Sequence, residues 1–329
     1  MPPDPASLHA PPVLRFDRVV PTNRIVAIVS NPAARGGGDH SARLAAFVGR
    51  LRAGGCEVRR VATRGPGDGA ARAAENVDAG TIVAAGGDGT FREVVEGVLS
   101  VPGARPRIGV LAVGTGNDAA SLLGLGSDDT LAAAVLGGGE RALDVIEVCL
   151  RENGVERVRH AVLFVAVGFS GDLLRATTPR VKRWFGARLS YPVGFFLALA
   201  GHRAVRLRVR TGRGAIDEPL VVALMANAPR AGGGMMRIAP RADMADGLAE
   251  VSLIRGLGRL QIAGQFLRLV RGTHVDHPKV EHFTDVAMEV ASDPAQRVAL
   301  DGDLVGETPM RARLLKAAVR VVAVQGAER

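Results

Sequence analysis

Five consecutive residues, Gly86-Gly87-Asp88-Gly89-Thr90, combine the types needed to hold a phosphate: glycines that leave backbone N–H groups bare, and one carboxylate. They follow the apolar run Ile82-Val83-Ala84-Ala85, which reads as a buried strand of the parallel type. Behind them Phe91, Val94, Val95 and Val98 repeat at helical spacing, and Thr90 with Glu93 has the spacing of a capping box. The glycines are therefore expected in a strand-to-helix turn, where the positive end of a helix dipole can receive phosphate. A carboxylate beside such a cradle is repulsive unless a cation lies between, so Asp88 implies Mg²⁺ or a water network. The tetrapeptide alone is equally a tight turn built of preferred turn residues.

Two further stretches carry similar chemistry. Gly114-Thr115-Gly116-Asn117-Asp118-Ala119 superficially fits a dinucleotide fingerprint, but it follows the fourth strand of its unit and no acidic residue closes a following strand at the expected distance. No Gly-Lys-Ser/Thr is present, which excludes a Walker-type loop. Asp301-Gly302-Asp303 supplies two carboxylates, although Asp-Gly by itself is more often a hairpin turn. Phosphoryl transfer to an alcohol needs a phosphate cradle, a metal and a carboxylate that takes the hydroxyl proton, and these stretches supply residues suited to each part.

The elements that must position them are legible as a βαβ series. Residues 24–30 form a first strand ending at Asn31-Pro32, Ser41 opens a helix faced by Leu44, Phe47, Val48 and Leu51, and Cys56 to Thr63 is a second strand. An Ala-rich helix then runs to Gly80, the glycine loop ends the third strand, and Arg107 to Ala112 is a fourth. Such alternation predicts a parallel sheet with ligands at the carboxyl ends of its strands, where the loops after the first three strands fall. From about Asp144 the pattern changes to β-prone runs, 158–167, 204–210, 220–226, 249–254 and 280–290, with few helices between, which suggests a second, mostly antiparallel domain. A last apolar run, 314–324, is expected to return to the first domain.

Composition bounds the function. With 329 residues the chain favours two domains, and a net charge of +9 favours acidic partners: nucleotides, nucleic acid or an anionic membrane surface. Aromatic residues make up 4% and form no stacking array, which argues against nucleic acid. Cys56 and Cys149 lack metal or redox spacing and read as reduced core residues of a cytosolic protein. Residues 1–22 read as a disordered leader, and the longest apolar run, 191–200, is too short to span a bilayer.

The collinear motifs resemble one family. Asn31-Pro32, Gly86–Thr90, Gly114–Ala119, Phe164–Asp172, Gly186–Tyr191, Asn227 with Gly232-Gly233-Gly234, Ala239-Pro240-Arg241-Ala242 with Asp246-Gly247, and Asp301-Gly302-Asp303 are similar to the bacterial diacylglycerol kinase and lipid kinase family, over about residues 24–325. The resemblance implies a Rossmann-like nucleotide domain (23–145, with 312–329 returning to it), a β-sandwich lipid domain (146–311) and an active site in the cleft between them. It implies ATP and Mg²⁺ as cofactors, with Asn31, Gly86, Gly87, Gly89, Thr90, Gly114, Thr115 and Asn117 touching the nucleotide. Arg35 would be a phosphate clamp and Thr63 a weaker contact. By the same resemblance Asp88, Asp118 and Asp144 organise Mg²⁺, Asp246 belongs to a structural Mg²⁺ motif, and Asp301 is the general base. Asp118 could instead be a helix N-cap, Asp144 a turn residue, Asp246 part of a plain Asp-Gly turn, and His274 a structural histidine. Asp303 stands where the family usually has Glu, one methylene longer.

The expected activity is transfer of the γ-phosphoryl of ATP to a lipid hydroxyl, diacylglycerol first and a sphingoid or other lipid alcohol behind it. A soluble acceptor such as NAD, or a non-catalytic lipid or nucleotide sensor, are the alternatives. The enzyme is expected in the cytoplasm, peripheral to the inner face of the membrane, with a homodimer allowed. The segment Arg175 to Arg188, with Arg180, Lys182 and Arg183 around Trp184 and Phe185, suits an anionic headgroup interface or, equally, a solvated basic helix.

Overall fold

The computed structural model describes residues 23–32, 40–114, 116–177, 184, 192–201 and 204–324. The leader at 1–22, Arg35, Thr115, and the segment from Arg180 to Tyr191 apart from Trp184 lie outside the described residues.

Four strands form the expected parallel sheet: β1 (Ile25–Ser30), β2 (Glu57–Ala62), β3 (Thr81–Gly86) and β4 (Arg107–Ala112), in the order β2-β1-β3-β4. β3 is buried along its whole length because helices cover both faces, and a strand buried on both faces carries an unbroken apolar run. α1 (His40–Ala53) buries Leu44, Phe47, Val48 and Leu51, the four residues its spacing singles out. α2 (Asp68–Ala74) is shorter than its alanines suggest: the chain breaks into turns after Ala74, well before Gly80.

α3 (Asp88–Leu99) begins two residues before Thr90, so the expected capping box does not form. Gly87 occupies the N-cap, Thr90 is buried in the first turn, and the Glu93 carboxylate is engaged elsewhere, accepting from the N–H groups of Gly67 and Gly69 at 2.8 and 2.9 Å. Two amides that open α2 claim this carboxylate more strongly than its own helix end does. Beyond β4 lie α4 (Asp118–Leu122) and α5 (Asp128–Gly137).

The second half is richer in long strands than its β-prone runs suggest. β5 (Glu140–Glu152) and β6 (Val155–Ala161) form a hairpin, followed by β7 (Phe164–Gly168), β8 (Val205–Thr211), β9 (Gly214–Ala226) and β10 (Ala249–Arg255). The expected run at 280–290 is two strands, β11 (Val280–Asp285) and β12 (Ala287–Ser292), and β13 (Arg297–Leu300) precedes the 20-residue β14 (Asp303–Val322). Long strands can turn a corner and serve two layers. β9 pairs with β8 through its first half and with β7 and β10 through its second, and β14 pairs in turn with β13, β12, β5 and, in parallel, β4. Ile146, Val148, Val165, Val167, Leu207, Met225, Val251, Met288, Val298 and Leu300 fill the core between the layers. Through Arg320 and Val321, β14 hydrogen-bonds to β4, so the parallel and antiparallel regions share one continuous sheet. Helices are more numerous here than expected: α6 (Phe169–Ala176), a helix over 192–201 termed α7, and α8 (Arg259–Arg271).

Candidate active site

β3, β4 and β14 bring the three chemistry-bearing loops together. A Cβ added to Gly114 would stand 2.5 Å from the Gly87 Cα, so the two glycine loops touch backbone to backbone. A Cβ on Gly89 would stand 3.3 Å from an Asp303 carboxylate oxygen, so the Asp301-Gly302-Asp303 turn abuts the start of α3. Gly114→Ala should therefore force the loops apart, costing about 1–3 kcal/mol of stability as an overpacked contact. Thermal unfolding and an ATP titration of that variant should show both lower stability and weaker binding.

No side chain caps the first turn of α3. Its orphan N–H groups and dipole therefore offer an anion site at the meeting point of the loops. Asp88 stands in that turn, yet its carboxylate serves α4, accepting from the N–H groups of Asp118 and Ala119 at 3.2 and 2.9 Å. Asp118 in turn accepts from Gly233 and Gly234 at 2.9 and 2.6 Å. Gly232, Gly233 and Gly234 all have positive φ, which lets successive amides converge on one carboxylate. Burial pushes both Asp88 and Asp118 above the usual carboxylate range. Asp118 is not the N-cap of α4: that place belongs to Asn117, whose side chain exchanges two hydrogen bonds with the Gly114 backbone and so shapes the second glycine loop.

Asn31 reaches the hydroxyl of Thr90 over 3.5 Å, and Thr63, at the end of β2, hydrogen-bonds through its N–H to the Ser30 carbonyl. Asp144 is fully buried inside β5, not in a turn, and its two oxygens accept from Gly247 and Ala317 at 2.7 and 2.6 Å. It secures the irregularity where β14 changes partner, Ala317 being at φ 50°. Asp246 is exposed and accepts from the N–H of Leu248, as an Asp-Gly turn residue does. Among the described residues no three acidic, histidine or cysteine side chains stand where they could share a metal ion. Asp88, Asp118 and Asp144 each accept from backbone amides through both oxygens. His274, buried in a short 3-10 turn, is held neutral, its pKa lowered to about 4 by burial, which fits a structural role.

Asp301 sits at φ 51°, a left-handed conformation that Asp tolerates better than most residues. One of its oxygens accepts from Leu163 and Phe164 at 2.8 and 2.9 Å, and the other from Val162 at 2.8 Å. Burial raises its pKa to about 6 despite these three amides and the pull of the Arg92 guanidinium.

Arg92 has no signal in the sequence beyond its place on an apolar helix. Buried on α3, it donates to Asp303 at 2.9 Å and lies 3.7 Å from Glu96. Asp303 keeps 58% of its side chain exposed, so its carboxylate joins solvent, Arg92 and the edge of the glycine loop.

Strands with glycine loops at their carboxyl edge, opening onto an uncapped helix and a buried carboxylate, are the parts that a nucleotide-binding phosphotransferase site requires. The family of the diacylglycerol kinase catalytic domain matches residues 25–148, and that of the YegS C-terminal NAD kinase beta sandwich-like domain matches residues 164–323. A diacylglycerol kinase of Mycobacterium tuberculosis is 30% identical over 257 residues, covering 77% of this chain and 79% of its own. A Chromohalobacter salexigens protein named "Probable lipid kinase YegS-like" is 29% identical, covering 85% and 88%. The crystal structure of a diacylglycerol kinase from Bacillus anthracis superposes with a TM-score of 0.69 at 17% identity, over 94% of this chain and 100% of that one, a likeness of fold. The chain belongs to the diacylglycerol kinase family and is a lipid kinase, with a two-domain fold whose C-terminal domain is β-rich.

Proposed function

We propose that the chain phosphorylates diacylglycerol to phosphatidic acid, in the cleft where the parallel and antiparallel regions meet. The observation that carries this reading is the uncapped start of α3, set between the Gly114 loop and the Asp301-Gly302-Asp303 turn. The amides of Gly87 and Gly89, with those of the Gly114 loop, bind and orient the phosphates of ATP, while Asn31 and Thr90 line the entry. Asp301 accepts the proton of the acceptor hydroxyl, and Arg92 holds the turn in place. Mg²⁺ enters with ATP as part of the nucleotide substrate, and Asp88 and Asp118 meet it only through water. The proposed division is a Rossmann-like nucleotide unit at about 23–145, completed by the end of β14, and a lipid unit at 146–311.

The lipid acceptor is reached from a membrane surface, and no described helix is long and apolar enough to cross one. Trp184, with 82% of its surface exposed, is available to such a surface, as the basic composition around it suggests. The test is transfer of radiolabelled γ-phosphate from ATP, with Mg²⁺, to diacylglycerol, a sphingoid base and NAD in parallel. Label in phosphatidic acid is expected. Label on the sphingoid base or on NAD, with none on diacylglycerol, would replace this acceptor assignment.

A further inference from the structure

α6, α7 and α8 lie together over one face of the β-rich region, on the Val221 side of β9. Their inner faces are an aromatic cluster: Phe195 is 5.1 Å from Phe169 and 4.8 Å from Phe266 between ring centroids. The outer faces remain apolar too. Phe196 and Leu197 on α7 are 53% and 55% exposed, and Leu260 and Leu267 on α8 are 91% and 61% exposed. Phe196 lies 5.9 Å from Phe266, so the exposed residues of the two helices are neighbours on one surface. A helix covering a sheet ordinarily turns polar and charged residues outward, and α7 and α8 turn large apolar ones outward as well.

The charge carried by α7 and α8 themselves has one sign. No Asp or Glu occurs from Leu173 to Ile216 or from Arg255 to Val275, the segments that contain α7 and α8. Exposed Arg259, Arg268 and Arg271 share α8 with the two leucines, and none is ion-paired among the described residues. An apolar centre rimmed by unpaired arginines is complementary to anionic headgroups over acyl chains. A second copy fits worse: a two-fold contact through α7 and α8 would set the same arginines against themselves with no acid on either helix to neutralise them.

We infer that the outer face of α7 and α8 is the surface by which this chain docks on an anionic bilayer. The inference rests on the reading of the acceptor as a membrane lipid and adds where the membrane meets the protein. Position supports it. The Phe164 N–H that holds Asp301 begins β7, and α6 starts at the other end of that strand, about 17 Å away at the usual rise per residue. One strand length thus separates the catalytic turn from the α6–α8 layer whose outer face meets the bilayer.

Flotation of the full chain with vesicles of phosphatidylcholine, with and without phosphatidylglycerol, tests this. Leu260→Gln with Leu267→Gln should lower partitioning onto anionic vesicles at least tenfold, from the loss of two buried leucines. Replacing Arg259, Arg268 and Arg271 with Gln should lower it about fivefold per residue and flatten its salt dependence. All five side chains are exposed, so these variants should fold and should keep wild-type turnover on a short-chain diacylglycerol dispersed without vesicles. Unchanged vesicle binding in both variants, or loss of a dimer without loss of vesicle binding, would overturn the docking face. Absence of turnover on dispersed lipid by the wild type would instead count against the acceptor assignment and leave the flotation result to stand on its own.

Discussion

Asp301→Asn should lower lipid phosphorylation by about 10²- to 10⁴-fold, the usual contribution of a positioned general base. Asparagine is the informative replacement because it tolerates the left-handed backbone at this position, where alanine would add strain. The amide cannot reproduce the carboxylate fully. Two N–H groups converge on one oxygen and a third meets the other, so one donor must face the new NH₂ group. That mismatch costs about 1–3 kcal/mol for an unsatisfied buried group. Unfolding and ATP affinity are therefore measured beside turnover. Loss of turnover with retained nucleotide binding assigns the effect to proton transfer, whereas parallel loss of both assigns it to the turn.

Arg92→Met should be the most destabilising of the substitutions considered. The guanidinium is almost fully buried with Glu96, whose side chain is only 10% exposed, and it also faces Asp301 and Asp303. Removing the cation leaves buried Glu96 with only Arg159 at 3.7 Å and the His160 N–H, and Asp301 with only its three amides; breaking a buried pair costs about 3–5 kcal/mol in comparable cases, an upper bound here. The Asp303 contact contributes little to that figure because its carboxylate is largely in solvent. Denaturant unfolding should show the drop in midpoint. A second effect separates this role from packing: without the nearby positive charge Asp301 holds its proton to higher pH, so the acid limb of the rate should move upward. Arg92→Lys should restore part of that shift.

The parallel sheet was legible because its information is local. Apolar runs that stop at Asn31-Pro32 or at glycines define β1, β3 and β4, and the helix periods predict the buried face of α1 residue by residue. The loops that carry chemistry were legible for the same reason. What stayed hidden depends on partners far along the chain. Arg92 and Asp303 are 211 residues apart, and Asp118 meets its glycine loop across 115 residues. Glu93 spaces like a capping residue, but two amides near residue 68 outcompete the helix end for it. Asp144 sits in a strand, and only the fold shows that its oxygens secure the irregular step of β14. The helical period of Ile262, Phe266, Leu269 and Val270 was available in the sequence and would have located α8.

The measurement that bears most directly on the account is the pH dependence of kcat/KM for diacylglycerol phosphorylation. Buried Asp301 holds its proton up to about pH 6 and must lose it to act as a base. Below about pH 6 the rate should therefore fall close to tenfold per unit, and this limb should be absent from the residual activity of Asp301→Asn. A profile flat through this range in the wild type, or one with the same acid limb in Asp301→Asn, would show that the proton is taken elsewhere.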